Sequence, residues 1–146
     1  MRMIYGKLSQ IIPEEFHEKL LKLNIANIDN FLISCANAFG RKYVAKEMNV
    51  DLDIIENWTK KADIMCVPGI GEKYCILLQK SGIKTLEDLK QANIIDLYNK
   101  IIKTNNELKR TFINSRPYYF SKITPSPMRI KKWIDFAKNK KSFMEF

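Results

Sequence analysis

The sequence predicts an all-α protein: two helical-hairpin units, the first of them degenerate, joined by a connector that is itself a pair of helices and closed by a C-terminal helix. Three observations predict this. Apolar residues recur at spacings of three and four, as in Phe16, Leu20 and Leu23, in Tyr74, Leu77 and Leu78, and in Ile94, Leu97, Tyr98, Ile101 and Ile102. Alternation with period two is nowhere sustained, which removes strands. The five glycines, Gly6, Gly40, Gly69, Gly71 and Gly82, fall where a helical pattern starts or stops.

The elements follow in order. An offset of 58 residues lays 67–89 on 9–31: Phe16 falls on Tyr74, Leu20 on Leu78, Asn24-Ile25 on Gly82-Ile83, Ile28 on Leu86 and Phe31 on Leu89. Each copy reads as helix, tight turn and helix, which gives units at about 9–38 and 62–106. Between them, residues 39–61 fit a helix-turn-helix: Val44, Ala45 and Met48 before a turn at Asn49, then Val50, Ile55 and Trp58. Asp51 is placed to cap the second of these helices, and Thr85-Leu86-Glu87-Asp88 is close to a capping box. Thr124-Pro125-Ser126-Pro127 reads as a stop and a new start, with Ser126 as N-cap and Pro127 at the first helical position. The last helix runs to about Lys138 and closes a basic C-terminal region at 107–139. Residues 140–146 are expected to fray unless Phe143 and Phe146 dock. At 146 residues, with 46% hydrophobic content, one domain over 1–139 is the expectation.

The net charge of +9 is unevenly distributed. Residues 1–99 carry 13 basic and 13 acidic side chains, whereas 100–146 carry 12 basic and 3 acidic ones. A basic block of this kind attracts polyanions, with an affinity that falls as salt rises; it also suits plain solubility. Within it, Lys109, Arg110, Arg116 and Lys122 interleave with Phe112, Tyr118, Tyr119 and Phe120. That mixture suits single-stranded nucleic acid, or else the aromatics cover the second unit.

Val67-Pro68-Gly69-Ile70-Gly71 is the most informative stretch. Pro68 fixes the approach, the glycines permit positive φ or close backbone approach, and Ile70 plugs the hairpin. Backbone N–H groups at the start of the following helix then favour an anion, with Lys73 at hand for a charge-assisted contact. This turn, with Tyr74, Leu77, Leu78 and Gly82-Ile83 after it, resembles the helix-hairpin-helix of many DNA repair proteins and nucleases. The resemblance implies sequence-independent grip on a nucleic-acid backbone through Gly69, Ile70, Gly71 and Lys73. The first unit departs from it: Ser9-Gln10-Ile11-Ile12-Pro13 lacks both glycines and leads into Glu14 and Glu15, which repel phosphate, so that hairpin reads as structural.

A wider resemblance rests on Gly40-Arg41-Lys42-Tyr43-Val44-Ala45, Ile54-Ile55, Trp58, Ala62-Asp63-Ile64-Met65, the Pro-Gly-Ile-Gly turn, and Pro125-Ser126 with Ile130, Trp133, Ile134 and Ala137. With these the chain resembles a family of small double helix-hairpin-helix proteins catalogued as a domain of unknown function and sometimes labelled DNA-binding. The resemblance spans nearly the whole chain and implies the fold, but brings no function.

Catalytic readings find little support. His17 is the only histidine and stands among Glu14, Glu15 and Glu18. Asp51, Asp53, Glu56 and Asp63 are too scattered to converge on a metal, and no phosphate-cradling loop of Walker length exists. Cys35, Cys66 and Cys75 match neither a zinc knuckle nor a disulfide framework and read as buried thiols. No enzyme activity, cofactor or metal is expected. The apolar runs are too short for a membrane span and the opening residues do not form a signal, so a cytoplasmic protein is expected.

The expected function is sequence-independent nucleic-acid binding, DNA in preference to RNA, through Gly69, Ile70, Gly71, Lys73, Arg116, Lys122, Arg129 and Lys132. The alternative is a protein-interaction or scaffold module whose basic region meets an acidic partner. The first places Lys73 and the C-terminal cations on one face; the second requires an exposed apolar patch elsewhere.

Overall fold

The computed structural model describes residues 8–111, 124–140 and 144–146. Among them are eight α-helices and no strand: α1 His17–Lys22, α2 Ile28–Ser34, α3 Ala38–Met48, α4 Leu52–Met65, α5 Glu72–Lys80, α6 Leu86–Gln91, α7 Ile94–Thr111 and α8 Pro127–Asn139. Two short 3₁₀ turns, Leu8–Gln10 and Glu14–Phe16, precede α1. The chain divides into two compact units, Met1–Cys66 with Ser142–Phe146, and Val67–Lys141.

The repeat at offset 58 holds in the hydrogen bonds that end the first helix of each copy and start the second. α1 ends when the Ile25 N–H reaches back to the Leu20 carbonyl (3.0 Å), and α5 ends when that of Ile83 reaches Leu78 (2.9 Å). This six-residue closure needs a left-handed residue inside it, which is Asn24 (φ 64°) in one copy and Gly82 (φ 98°) in the other. The next helix then starts on a capping side chain. Asn27 accepts from the Asn30 N–H at 2.8 Å, and Thr85 from the Asp88 N–H at 3.1 Å. Asn30 and Asp88 answer through their side chains, accepting from the N–H groups of Ala26 and Lys84. Leu20, Ile25, Ile28 and Phe31, and their counterparts Leu78, Ile83, Leu86 and Leu89, are all buried.

A second correspondence, at offset 75, joins α4 to α8. Ile55, Trp58, Thr59 and Ala62 fall on Ile130, Trp133, Ile134 and Ala137, and every one is buried. The two tryptophans close their units alike. Trp58 meets Phe16 at 5.4 Å between ring centroids, and Trp133 meets Tyr74, the residue 58 after Phe16, at 5.1 Å. Packing agrees: α2 lies on α4 as α6 lies on α8, α3 on α4 as α7 on α8, and α1 on α3 as α5 on α7. Residues 39–61 thus form the second half of the first unit. Their turn places Asn49 in the left-handed region (φ 56°), as a tight connection requires.

Two local expectations are corrected. Asp51 stands before α4 but makes no side-chain capping bond; its backbone carbonyl takes the Ile54 N–H instead. Gly40 lies inside the first turn of α3, because any Cβ there would collide with the Ser34 carbonyl. The capping box at Thr85 and the Ser126-Pro127 start of α8 form as expected.

Arg41 is buried in the first unit at 2% exposure, with Nη1 donating to the Cys35 carbonyl (3.0 Å) and Nε 3.5 Å from Glu56. The Phe146 ring lies against its guanidinium (5.2 Å) and the Lys60 ammonium (5.8 Å), and the Glu145 N–H donates to the Ala36 carbonyl. Phe143 lies outside the described residues. Cys35, Cys66 and Cys75 are buried free thiols.

Burial pushes the Cys35 thiol up from 9.0 to about 11, against the opposing pull of the Thr59 hydrogen bond and the Arg41 charge. The unfolded thiol therefore ionises first, and this group's contribution to stability falls as pH rises from 9 towards 11. Urea melts at pH 8 and pH 10 should show a smaller loss of stability in Cys35→Ala than in the wild type; equal losses would count against it. In the repeat, Gly82→Ala should cost about 1–2 kcal/mol of unfolding free energy, whereas Asn24→Gly should cost nothing.

Candidate nucleic-acid interface

The turn that the sequence singles out is built by local forces. α4 ends at Met65, and the Ile70 N–H donates to the Val67 carbonyl at 3.1 Å to close the loop. Closing it so tightly puts Gly69 at φ +88°, and a Cβ there would also stand 3.3 Å from Nε1 of Trp133. The positive φ calls for glycine here, and the indole would have to give by a few tenths of an ångström to admit a Cβ. Ile70 is buried at 4% exposure.

Gly71 is different. It is the N-cap of α5 in extended geometry (φ −91°, ψ −170°) that any residue adopts, and an added Cβ would meet nothing. Among the described residues, nothing packs where a Cβ would stand at this position. Its effect is on the outside: the start of α5 carries no side-chain cap, so its first-turn N–H groups and the positive end of its dipole stay accessible at an exposed surface. Lys73 is exposed in this first turn.

The turn and the start of α8 form one cleft of about 320 Å³. Pro68 and Gly69 line one side; Ser126, Met128, Arg129, Lys132 and Trp133 line the other. Ser126 caps α8 by accepting the Arg129 N–H at 3.2 Å, which fixes where Arg129 and Lys132 emerge. Trp133 is buried and holds the Tyr74 edge, and the Arg129 guanidinium stands 5.7 Å from the Tyr74 ring. Arg129 and Lys132 are exposed, while Lys131 is occupied by Asp135 at 2.6 Å.

Of the residues expected at the site, Gly69, Arg129 and Lys132 share the cleft, and Ile70, Gly71 and Lys73 continue the turn beside it. Arg116 and Lys122 lie outside the described residues. Met128, Trp133 and Pro68 were not expected there. The signal for Trp133 was its match to Trp58, hidden by the change of spacing between the two halves of the repeat; Met128 carried none.

Charge follows the same division. The unit Val67–Lys141 holds 16 basic and 6 acidic residues, a net +10, and the rest of the chain holds 9 and 10, a net −1. Among the described residues the first unit has no counterpart to the basic cleft. Ile54 and Asn57 stand where Arg129 and Lys132 stand, and Glu15 where Lys73 stands, whereas Glu14 and its counterpart Glu72 are exposed acids in both units. A second cleft of about 370 Å³, between α6 and α7, presents Asp88 and Asp96 with Lys100 and suits a polyanion poorly.

His17 has a structural partner, its Nε2 lying 2.8 Å from the Ile12 carbonyl. Among the described residues, no three His, Cys, Asp or Glu side chains gather where a metal could be held, and no helix is long and apolar enough to cross a membrane.

Compared with known proteins, residues 10–140 match the family model described as "Domain of unknown function (DUF4332)". No curated protein and no solved structure matches the chain.

The two glycines of the turn should separate on mutation. Gly69→Ala should lower the unfolding free energy by about 1–2 kcal/mol through its left-handed backbone. Gly71→Ser should leave it unchanged or raise it by a few tenths, about what a new cap contributes. Chemical denaturation of the two variants checks both, and an equal loss would contradict the distinction.

Proposed function

The chain belongs to the DUF4332 family, whose description assigns no activity, and we propose from its own residues that it is a non-enzymatic, sequence-independent binder of nucleic acid, DNA in preference to RNA. The backbone would be held at the turn by Gly69, Ile70, Gly71 and Lys73, and at the start of α8 by Arg129 and Lys132. Arg116 and Lys122 of the basic C-terminal region would extend the contact.

The observation that carries this reading is the cleft itself. It brings two exposed cations against a turn whose second glycine meets no packing neighbour among the described residues, in the unit that holds all of the charge excess. Successive phosphates of one backbone would take N–H groups at the uncapped start of α5 beside Lys73, and charge from Arg129 and Lys132 in the cleft. None of these groups reads a base edge, hence the absence of sequence preference.

A second reading, a protein-interaction module, has its own observation. Phe39 is 82% exposed and Tyr43 50%, one turn apart on α3 in the first unit, where the neutral half of the chain presents an apolar strip. The basic unit would then meet an acidic partner.

Binding of labelled duplex and single-stranded DNA and RNA across a salt series separates the two. Wild-type protein should bind with a dissociation constant of about 1–100 μM near physiological salt and more tightly below it. Lys132→Glu should weaken binding and flatten the salt dependence by about one unit of slope or more. Gly71→Asp should raise thermal stability, since its carboxylate caps α5, yet weaken nucleic-acid binding about tenfold by occupying the same N–H groups. No binding at low salt, or binding indifferent to both variants, would remove this site and leave the protein-interaction reading.

A further inference from the structure

The cleft holds more than a duplex backbone can use. Phosphates of paired DNA need surface donors and cations, which Arg129, Lys132 and the turn provide. The same cleft also presents Met128, 63% exposed, beside the exposed Pro68, with Trp133 forming part of its wall. An intact duplex offers this apolar surface only sugars and charge, because its base faces are stacked on one another.

An unpaired nucleotide offers both chemistries at once, a phosphate for the cations and a flat base face for an apolar wall. Thioether sulfur is polarisable and packs well on aromatic rings, so an exposed methionine suits a base face. The volume of about 320 Å³ is at the low end of the range of roughly 300–1,000 Å³ for small-ligand sites, which suits one nucleotide at a time. The cap at Ser126 consumes the Arg129 N–H and keeps α8 regular, so Met128, Arg129 and Lys132 project from neighbouring positions of one fixed turn.

We infer that this cleft takes a single unpaired nucleotide of a strand, its phosphate beside Arg129 and Lys132 and its base against Met128 and Pro68. The protein accordingly prefers single-stranded or frayed nucleic acid to intact duplex. This rests on the nucleic-acid reading above and deepens it by naming the form bound.

The test is fluorescence anisotropy of labelled oligothymidylate, oligouridylate and a blunt duplex of equal length at one salt concentration, with wild-type protein and Met128→Ala. Met128 is exposed enough for the variant to keep its fold, which a thermal melt checks. At least one single strand should bind about fivefold or more tighter than duplex. Met128→Ala should weaken single-strand binding about three- to fivefold more than it weakens duplex binding, roughly what partial burial of one methionine contributes. Duplex binding as tight as or tighter than both single strands, or equal weakening of all ligands by Met128→Ala, overturns the inference and leaves backbone binding standing. Failure to bind any of the three overturns both.

Discussion

Trp133 carries its indole from α8 into contact with Tyr74 of α5 and comes close enough to Gly69 that a Cβ there would stand 3.3 Å from its Nε1. Its full burial makes it one of the largest apolar contributions in its unit, since burying an aromatic side chain stabilises by about 1.5–3 kcal/mol or more. What matters for function is where that contact puts its neighbours. Arg129 and Lys132 lie four and one residues before it on the same helix, so docking the indole sets both cations beside the turn. The site is therefore positioned by a core contact rather than by the mobility of its long side chains.

The same device operates in the first unit, with Trp58 on Phe16, and there it sets Ile54 and Asn57 where the second unit has cations. Two units of matching helix order and closing tryptophans, with matching caps at Asn27 and Thr85, differ in charge, one carrying +10 and the other, with the tail, −1. The divergence lies at positions that leave packing untouched. Ile54 and Asn57 replace Arg129 and Lys132 on the outward side of a helix whose buried side is kept as isoleucine, tryptophan and alanine. Fold and surface charge are thus separable, and the first unit has the architecture without these cations.

Much of this was legible in the sequence because it is local chemistry. The left-handed closures at Asn24 and Gly82, the capping box at Thr85 and the Ser126-Pro127 start depend on a few adjacent residues, and their residue types announce them. The halves beyond residue 31 were less legible. α7 is 18 residues long against 11 for α3, and 15 residues (112–126) separate it from α8 where three (49–51) separate α3 from α4, so the offset between copies reaches 75 and a constant shift cannot expose the match of Ile55, Trp58 and Ala62 with Ile130, Trp133 and Ala137. Asp51 and Gly40 misled for a shared reason, in that each was judged by residue type at a helix end while neighbouring atoms decided the outcome. The cleft was only partly legible, since its cations could be listed from composition but their meeting with Gly69 is a tertiary fact.

The central claim is that nucleic acid touches the turn and the start of α8, and nothing in the first unit. Amide chemical-shift mapping of isotope-labelled protein, titrated with an oligonucleotide at low salt, tests it residue by residue. The account predicts shifts clustered at Gly69, Ile70, Gly71, Lys73, Arg129 and Lys132, with α1 to α4 unmoved. Shifts centred on Phe39 and Tyr43, or none at the turn, would contradict it.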